Sequence, residues 1–476
     1  MFFRKRKHGV DELDWRLLKW TQCDYFTKRD LLRSVCVQGA SGSGKTNFVG
    51  YQMAKALVKD GGIGGLILSS KPVEDRQHWK DIFARAGRPK DLLIFAEDMP
   101  LRCNVMNWEL NSKADSRELA NCLMVFGETL RRGEGSGGGE DNQFFKDQSE
   151  RMLQLAIETV RLATGKVSPV DIQRFINQAA MTRDELKTPQ WQARFHNQML
   201  KAAYDARKTP IEQADFEQVM QYWLGELPAL NDRTKSSITT QANGILHVLC
   251  SGVVRELLSS TTNITPAAMD AGKWLLIDMP VSRYGSSGAL VNAAWKLMVQ
   301  RHILRRHAAR GSPITVIWVD EFQNHLNSFD AKFLAESRSH RGCMVVLTQS
   351  LHSYYAALKG GHAAEHQANS LLTNFAHRLF CSLGDEKSAE WASGLLGKRL
   401  ETMIGGSMAP EESMWDTLMG RTKFTGSFNQ RYEPILQPNV FMHHLRTGSD
   451  GIADAIIIRP EPFSNGQNFL QVAFGR

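Results

Sequence analysis

The stretch GASGSGKT, residues 39–46, constrains the fold more than any other part of this sequence. It satisfies the pattern G-x-x-x-x-G-K-[ST], in which glycines let the backbone curl so that successive N–H groups face one anion. The apolar residues 35–37 before it predict a buried strand. Residues 46–58 after it predict a helix, with apolar side chains at Phe48, Tyr51, Ala54 and Leu57 or Val58. A strand, this loop and a helix in that order predict a phosphate-binding P-loop.

The motif assigns a role to each of its residues. Lys45 is able to reach the β- and γ-phosphates of ATP, and the Thr46 hydroxyl is able to ligate Mg²⁺. The amino end of the following helix adds positive potential. ATP and Mg²⁺ are therefore the expected cofactors. The expected nucleotide-binding residues are Gly39, Ala40, Ser41, Gly42, Ser43, Gly44, Lys45, Thr46 and Asn47.

Composition limits the class of protein. The chain has 476 residues, enough for two or three domains, with 42% hydrophobic and 23% charged residues. No apolar run approaches the ~18–20 residues of a membrane helix, and the basic start MFFRKRKHG lacks the apolar core of a signal peptide. Seven scattered cysteines without C-x-x-C indicate a reduced, cytoplasmic protein. The net charge of +8 permits nucleic-acid binding without proving it.

A short histidine motif needs a decision. His362, Glu365 and His366 match H-x-x-E-H, the pattern of some zinc peptidases. The sequence indicates no third ligand, and KGGHAAEHQANS resembles a polar connection before a helix. We interpret this match as fortuitous and expect no metal there.

The second half of an ATPase site is predicted in SPITVIWVDEFQNHL, residues 312–326. Its nearly continuous apolar run is typical of a central parallel strand buried on both faces. The run ends in Asp320, expected to hold Mg²⁺, and Glu321, expected to polarise the attacking water. The alternative is a strand that merely ends in two solvated acids.

A third element follows in ESRSHRGCMVVLTQS, residues 336–350. It predicts a strand that ends at Gln349, where a polar side chain beside the acid-bearing strand is able to sense the γ-phosphate. Arg338 and Arg341 precede this strand, and either one is a candidate arginine finger for a neighbouring subunit. The alternative for both is an ordinary surface arginine.

The remaining pattern predicts an α/β fold with a doubly wound, mostly parallel sheet. Further strands are predicted at residues 64–72, 91–98, 273–280 and 376–385. Between residues 109 and 259 the alternation stops, and an inserted all-α domain is predicted behind a Gly/Ser-rich loop at 131–143. The predicted domains are a basic N-terminal segment at 1–29, a nucleotide-binding domain at 30–108 and 260–476, and the helical insertion at 109–259.

The order of these motifs resembles the FtsK/HerA superfamily of ATPases, and within it most the conjugative coupling proteins of the TraG/TraD type. After the P-loop, the resemblance is carried by SSKPVED, CNVMNWEL, DNQFFKDQSERML, KWLLIDMP, VDEFQNHL, SRSHRGCMVVLTQSLHSYY and LLTNFAHRLFCSLGDEKSAEWASGLLGK. It spans about residues 30–460. The chain departs from the family at Ser69 and Ser70, where an Asp-Pro pair is usual, and in having no transmembrane helices.

The resemblance implies a RecA-like fold and an ATP-driven DNA translocase that works as a homo-hexameric ring in type IV secretion. It implies catalytic roles for Lys45, Glu321, Gln349 and Arg338, and metal ligation by Thr46 and Asp320. Relaxase, secretion-channel proteins or a separate membrane subunit are the implied partners, with peripheral docking at the inner membrane as one location. Two alternatives stay open: an ATP-gated adaptor for protein cargo, and a HerA-like repair or defence ATPase that works with a separate nuclease.

Overall fold

The structure is a computed structural model that describes residues 12–71, 74–131, 140–307, 309, 311–358, 361–410 and 422–475. The basic start, most of the Gly/Ser-rich loop, Pro72-Val73 of SSKPVED and Lys359-Gly360 of KGGHAAEHQANS lie outside these residues. The strands are β1 Arg16–Lys19, β2 Tyr25–Thr27, β3 Val35–Gln38, β4 Ile63–Leu68, β5 Leu92–Phe95, β6 Trp274–Ile277, β7 Ile314–Val319, β8 Gly342–Thr348, β9 His377–Phe380, β10 Lys398–Pro410, β11 Thr422–Pro434, β12 Ile452–Ile458 and β13 Phe469–Gly475.

One large sheet organises the chain, in the strand order β13-β12-β9-β3-β8-β7-β4-β6-β5. From β9 to β5 every neighbouring pair is parallel. Strands β3, β4, β7 and β8 are buried along their whole length, because helices cover both faces. The predicted mostly parallel sheet is confirmed, including each strand that the sequence analysis placed in it.

The helices cover the two faces of this sheet and fill the long interval between β5 and β6. They are α1 Lys28–Leu31, α2 Tyr51–Lys59, α3 Glu74–Arg85, α4 Val105–Asn111, α5 Ser116–Arg131, α6 Glu140–Thr164, α7 Pro169–Asn177, α8 Pro189–Gln192, α9 Phe195–Asp205, α10 Pro210–Gln221, α11 Leu227–Ala229, α12 Asp232–Leu249, α13 Gly252–Leu258, α14 Val281–Arg305, α15 Asp330–Glu336, α16 Leu351–Ala357, α17 Gly361–Thr373, α18 Glu386–Gly394 and α19 Pro438–His443. Of the helices that the structure describes, none is both long and apolar enough to cross a membrane.

The helical interval α4–α13 shares its core with the sheet. Met152 and Trp223 from this interval belong to the same buried apolar cluster as Phe95 on β5 and Trp295 on α14. The helical character predicted for this interval is confirmed, since helices are its regular elements within the described residues. The domain boundaries at residues 109 and 259 stay a prediction, because a continuous cluster marks no division there.

Several strands were not predicted. β12 and β13 extend the sheet antiparallel beyond β9, and β10 and β11 form a separate antiparallel ribbon. β1 and β2 form a hairpin whose Trp20 and Phe26 are buried in the second apolar cluster, which also contains Phe474 of β13. The amino-terminal and carboxy-terminal ends of the described chain therefore meet on one face of the sheet.

Gly64 of β4 lies so close to the backbone of residues 269–273 that a side chain has no room there. A Cβ atom at Gly64 would lie 2.1 Å from the carbonyl oxygen of Met269 and 2.8 Å from that of Lys273, both backbone atoms. We expect Gly64→Ala to lower the free energy of unfolding by ~1–3 kcal/mol, measured by urea denaturation. Gly61→Ala is the matched control, since a Cβ there meets no atom within 4 Å. Equal free energies of unfolding for the two variants would contradict the close contact of Gly64 with the backbone of Met269 and Lys273.

Candidate nucleotide-binding site

The parallel pairing of β3, β8 and β7 brings three polar strand ends to one edge of the sheet. Gln38 of β3 pairs with Thr348 of β8, and Val346 of β8 pairs with Val319 of β7. The P-loop follows β3, Asp320 and Glu321 follow β7, and Gln349 follows β8. The P-loop is tied to this edge by backbone hydrogen bonds, 3.2 Å from the Gly39 N–H to the Thr348 carbonyl and 2.9 Å from the Ala40 N–H to the Ser382 carbonyl.

The glycines of the loop are required by its conformation. Gly42 and Gly44 have φ of 77° and 84°, in the region that glycine adopts without strain. A Cβ at Gly39 would lie 2.4 Å from Ser43 Oγ, and one at Gly44 would lie 2.6 Å from Ala453 Cβ. A Cβ at Gly42 would meet no atom within 4 Å, so the outer side of the loop is open.

The helix after the loop begins as a π-helix, Lys45–Gly50, which continues into α2. The Val49 N–H bonds to the Gly44 carbonyl at 3.3 Å, five residues back, as this geometry requires. Phe48, Tyr51, Ala54 and Leu57 are buried, which confirms the apolar face that the sequence predicts. The loop therefore lies at the amino end of a helix, where unpaired N–H groups and the dipole attract anions.

Lys45 and Glu321 form an ion pair across the site. Lys45 Nζ lies 3.2 Å from Glu321 Oε1, and the two side chains are 8% and 19% exposed. Gln349 Nε2 donates to the same Glu321 oxygen at 3.2 Å, and Gln323 Nε2 donates to the other at 2.7 Å. Lys45 and Gln349, singled out from separate motifs, thus both contact Glu321.

Thr46 and Asp320 form the second contact. Thr46 Oγ1 donates to Asp320 Oδ2 at 3.3 Å, and Ser70 Oγ donates to the backbone carbonyl of Asp320 at 2.8 Å. Burial, and next the negative charge of Glu321, raise the pKa of Asp320 to about 6. A buried carboxylate beside a hydroxyl and a second acid is the type of group that a divalent cation stabilises.

Glu321 occupies an unusual backbone conformation. Its φ of 49° and ψ of 53° are left-handed, which costs a residue with a side chain about 1–2 kcal/mol. Its N–H donates to Asp320 Oδ1 at 2.9 Å, which helps to hold the turn. Burial acts to raise the pKa of the Glu321 carboxyl, but the charge of Lys45 and the hydrogen bonds from Gln323 and Gln349 outweigh it and lower the pKa. The carboxylate is therefore ionised at neutral pH, as a proton acceptor must be.

The residues present fit a nucleotide with its magnesium ion. The open side of Gly42, the helix amino end and the Lys45 ammonium offer donors to phosphate oxygens. Thr46 and Asp320 offer the two oxygen ligands that Mg²⁺ takes at such loops. The cleft beside them, lined in part by Asp75, His78 and Trp318, has a volume of about 20 Å³, room for one water molecule.

The two finger candidates lie at the other end of β8. Arg338 is exposed in the turn before this strand. The seven residues of β8 separate this turn from the P-loop edge, a distance of about 20 Å at the usual rise per strand residue. Arg341, the second candidate, is buried and forms an ion pair of 3.0 Å with Glu12 of its own chain. Neither side chain reaches the site of its own chain, so a catalytic role for either requires a second subunit.

The structure also brings residues to the site that the sequence analysis did not assign to it. Ser70 contacts the backbone at Asp320, and Asp75 accepts hydrogen bonds of 2.8 Å from the Ser70 and Lys71 N–H groups. The polar end of the strand next to β7 was the available signal for Ser70. The turn at Thr447 packs on Gly44, with the Thr447 carbonyl 3.2 Å from a Cβ placed there, and nothing local predicts this contact.

Two other features lie apart from this edge. Glu365, of the short histidine motif, pairs with Lys387 at 2.6 Å. Among the residues that the structure describes, no three His, Cys, Asp or Glu side chains are grouped to hold a metal ion. A larger cavity of about 480 Å³ lies between α6 and the α4–α5 connection, and its lining mixes Arg117 and Arg161 with Asp115 and Glu158. We place the site at the P-loop because the reactive groups converge there.

Comparison with known proteins identifies similar folds. Residues 314–443 match a family model described as the TraM recognition site of TraD and TraG. The bacterial conjugative coupling protein TrwBdeltaN70, unbound, is 15% identical with a TM-score of 0.58, covering 94% of this chain and 86% of that one. The plasmid coupling protein TrwB with the ATP analogue ADPNP is 14% identical with a TM-score of 0.58, covering 98% and 89%.

A third solved structure, TrwB with ADP and Mg²⁺, is 14% identical with a TM-score of 0.57, and covers 94% of this chain and 86% of that one. None of the curated proteins is detectably similar in sequence. At these identities the likeness to TrwB concerns the fold, which is the RecA-like fold that the sequence predicts. The resemblance to coupling proteins of the TraG/TraD type is thus confirmed, for residues 314–443 by the family model and for the fold by the likeness to TrwB.

Proposed function

We propose that this protein is an ATP-hydrolysing DNA motor of the coupling-protein type, working as a homo-hexameric ring. One observation carries the proposal: Lys45, Thr46, Asp320, Glu321 and Gln349 converge at the carboxyl edge of the sheet. The fold likeness to TrwB, whose structures contain an ATP analogue or ADP with Mg²⁺, supports it.

Each residue has a role in this proposal that its contacts support. Lys45 would exchange its contact with Glu321 for the phosphates, and Thr46 and Asp320 would hold a metal ion that supplies positive charge against the phosphates. Glu321, once released from Lys45, orients and deprotonates the attacking water. Gln349 already bonds to Glu321, so it is placed to report the presence of the γ-phosphate to β8. Occupation of the site would therefore rearrange the Lys45–Glu321–Gln349 contacts first.

The proposal assigns DNA as the substrate and a ring as the working form. The net charge of +8 favours contact with the phosphate backbone, and such contacts carry little base information and weaken with salt. The exposed position of Arg338, far from its own P-loop, suits a residue that completes the site of a neighbour. Together with the expected location in the cytoplasm, this is the arrangement that the resemblance implies.

The description of the matched family favours a second candidate function, an ATP-gated adaptor for protein partners. That description names a site that recognises a protein, TraM, in TraD and TraG. The matched range, residues 314–443, contains Asp320, Glu321 and Gln349. An adaptor of this kind would couple hydrolysis to a bound protein instead of to DNA.

ATP turnover with and without DNA separates these functions. We expect single- or double-stranded DNA to raise the steady-state rate of ATP hydrolysis severalfold at low salt. The stimulation should fall steeply as salt increases, because counterions compete for the phosphates. Lys45→Ala protein prepared in parallel controls for contaminating ATPases. Stimulation by a secretion-system protein and not by either form of DNA would contradict the motor and favour the adaptor.

Glu321→Gln separates binding from hydrolysis. The variant loses the base but keeps the hydrogen-bonding shape, so turnover should fall at least ~100-fold. Its affinity for a fluorescent ATP analogue should stay the same or rise, because Lys45 no longer pairs with Glu321. Lys45→Ala should lose both properties, and Glu336→Gln, at an exposed position on α15, should lose neither. Fast hydrolysis by Glu321→Gln would place the base elsewhere.

Arg338→Ala tests whether a neighbour completes the site. Rings of Arg338→Ala subunits should be inactive, while mixing them with Glu321→Gln subunits should restore turnover at interfaces that combine an intact Glu321 with an intact Arg338. The measurement is phosphate release across mixing ratios. Arg341→Ala is the matched control, because Arg341 pairs with Glu12 in its own chain and should show no such rescue. Absence of rescue for Arg338→Ala would exclude a finger acting in trans.

A further inference from the structure

A fully buried ion pair lies behind the candidate site. Lys296 of α14 and Asp330, the first residue of α15, are 2.8 Å apart with side chains 0% and 1% exposed. The Asp330 carboxylate also accepts hydrogen bonds from Gln300 Nε2 at 2.7 Å and from the Asn327 N–H at 2.8 Å. Lys296 Nζ donates in addition to the backbone carbonyl of His325.

All of these contacts fix one segment, residues 321–330. Its first residue is Glu321, its next four form a 3₁₀ turn, Phe322–His325, and its last is Asp330. The Lys296 ammonium lies 5.3 Å from the ring centre of Phe322, the residue that follows Glu321. The segment is thus held against α14 at its start, at its middle through His325, and at its end.

Stability alone does not account for this pair. Taking two charges out of water costs as much free energy as their attraction returns, and apolar side chains of the same size often stabilise a protein equally well. Geometry offers a better account, because Glu321 has left-handed backbone angles. Such a conformation persists only where the surroundings fix it.

We propose that Lys296 and Asp330 are positioning residues for Glu321. They hold the segment that carries this residue in the conformation that presents its carboxylate to the site. Both side chains contact the segment that follows Glu321, so we assign them a positioning role and not a catalytic one. This inference rests on the proposed function for its kinetic consequence, but its structural consequence is independent of hydrolysis.

The double variant Lys296→Met/Asp330→Leu tests the proposal, since it removes the pair without leaving one charge buried alone. We expect it to fold with a melting temperature near that of the unmodified protein. Its kcat for ATP should fall by about tenfold or more, with KM and nucleotide affinity changed less than about twofold. A loss of stability alone would lower the amount of folded enzyme. The folded fraction would then keep both its kcat and its KM.

Amide hydrogen exchange of residues 320–331 gives a readout that needs no hydrolysis. In the nucleotide-free double variant this segment should exchange faster, while the P-loop helix should not. Lys28→Met/Asp60→Leu is the matched control, because Lys28 and Asp60 form a 2.9 Å pair with little exposure just before β4, at the edge of the sheet opposite to the site. The control should leave both kcat and the exchange of 320–331 unchanged.

The outcomes are decisive in each case. Unchanged exchange and unchanged kcat in the double variant would overturn the positioning role. If the unmodified protein does not hydrolyse ATP, the proposed function fails, and exchange of residues 320–331 alone decides on the positioning role. If the double variant does not fold, Gln300→Met takes its place. That variant removes one of the donors to Asp330 and should speed exchange and lower kcat about two- to fivefold, and the absence of both effects would overturn the proposal.

Discussion

The parallel pairing of β3 with β8 and of β8 with β7 is the constraint on which the site depends. Strand ends from residues 38, 319 and 348 meet at one edge because all three strands run in the same direction. Each strand then supplies one polar element at that edge: the P-loop, the acids, and Gln349. A shift of one residue in any pairing would also turn buried side chains such as Val319 to the opposite face. The fold therefore fixes the site and its core with the same hydrogen bonds.

The two acids at this edge of the sheet differ in how their charge is compensated. Asp320 and Glu321 are adjacent acids with opposite pKa shifts, the first raised to about 6 by burial and by Glu321, the second lowered. The difference arises because burial and the charge of Glu321 outweigh Lys45 at Asp320, whereas at Glu321 the charge of Lys45 and the hydrogen bonds from Gln323 and Gln349 outweigh burial. A single lysine thus serves two acids. Any ligand that brings phosphate and a cation supplies what is missing, since the cation compensates Asp320 and the phosphate competes for Lys45.

The sequence predicted those parts of the fold whose signal lies in a short continuous stretch of residues. β7 and β8 are apolar runs that end in polar residues. Because a P-loop requires acidic and polar partners at neighbouring strand ends, its presence indicated a role for these residues. β12 was missed although it is equally apolar, because Asp454 interrupts it. The structure explains that acid by its pair with Arg446, at 2.8 Å. The contact of Ser70 with Asp320, between residues 250 positions apart, and the pairing of Lys296 with Asp330 depend on tertiary structure. A lysine within a helix ordinarily indicates a solvent-facing position, so local pattern misleads there.

Helix α14 joins the candidate site to the helical interval through two different faces. Lys296 and Gln300 are one turn apart and face Asp330. Arg301 and Arg305 are also one turn apart, and both contact Glu109 of α4 and Glu118 of α5. Positions 296 and 301 differ by five residues, which turns the helix by about 140° between the two sets. Both sets of ion pairs lie on the part of α14 that follows its kink at Gly285, so the segment after Glu321 and helices α4 and α5 are attached to the same stretch of helix. The helical interval is therefore attached to the site by charge pairs as well as by the apolar cluster they share.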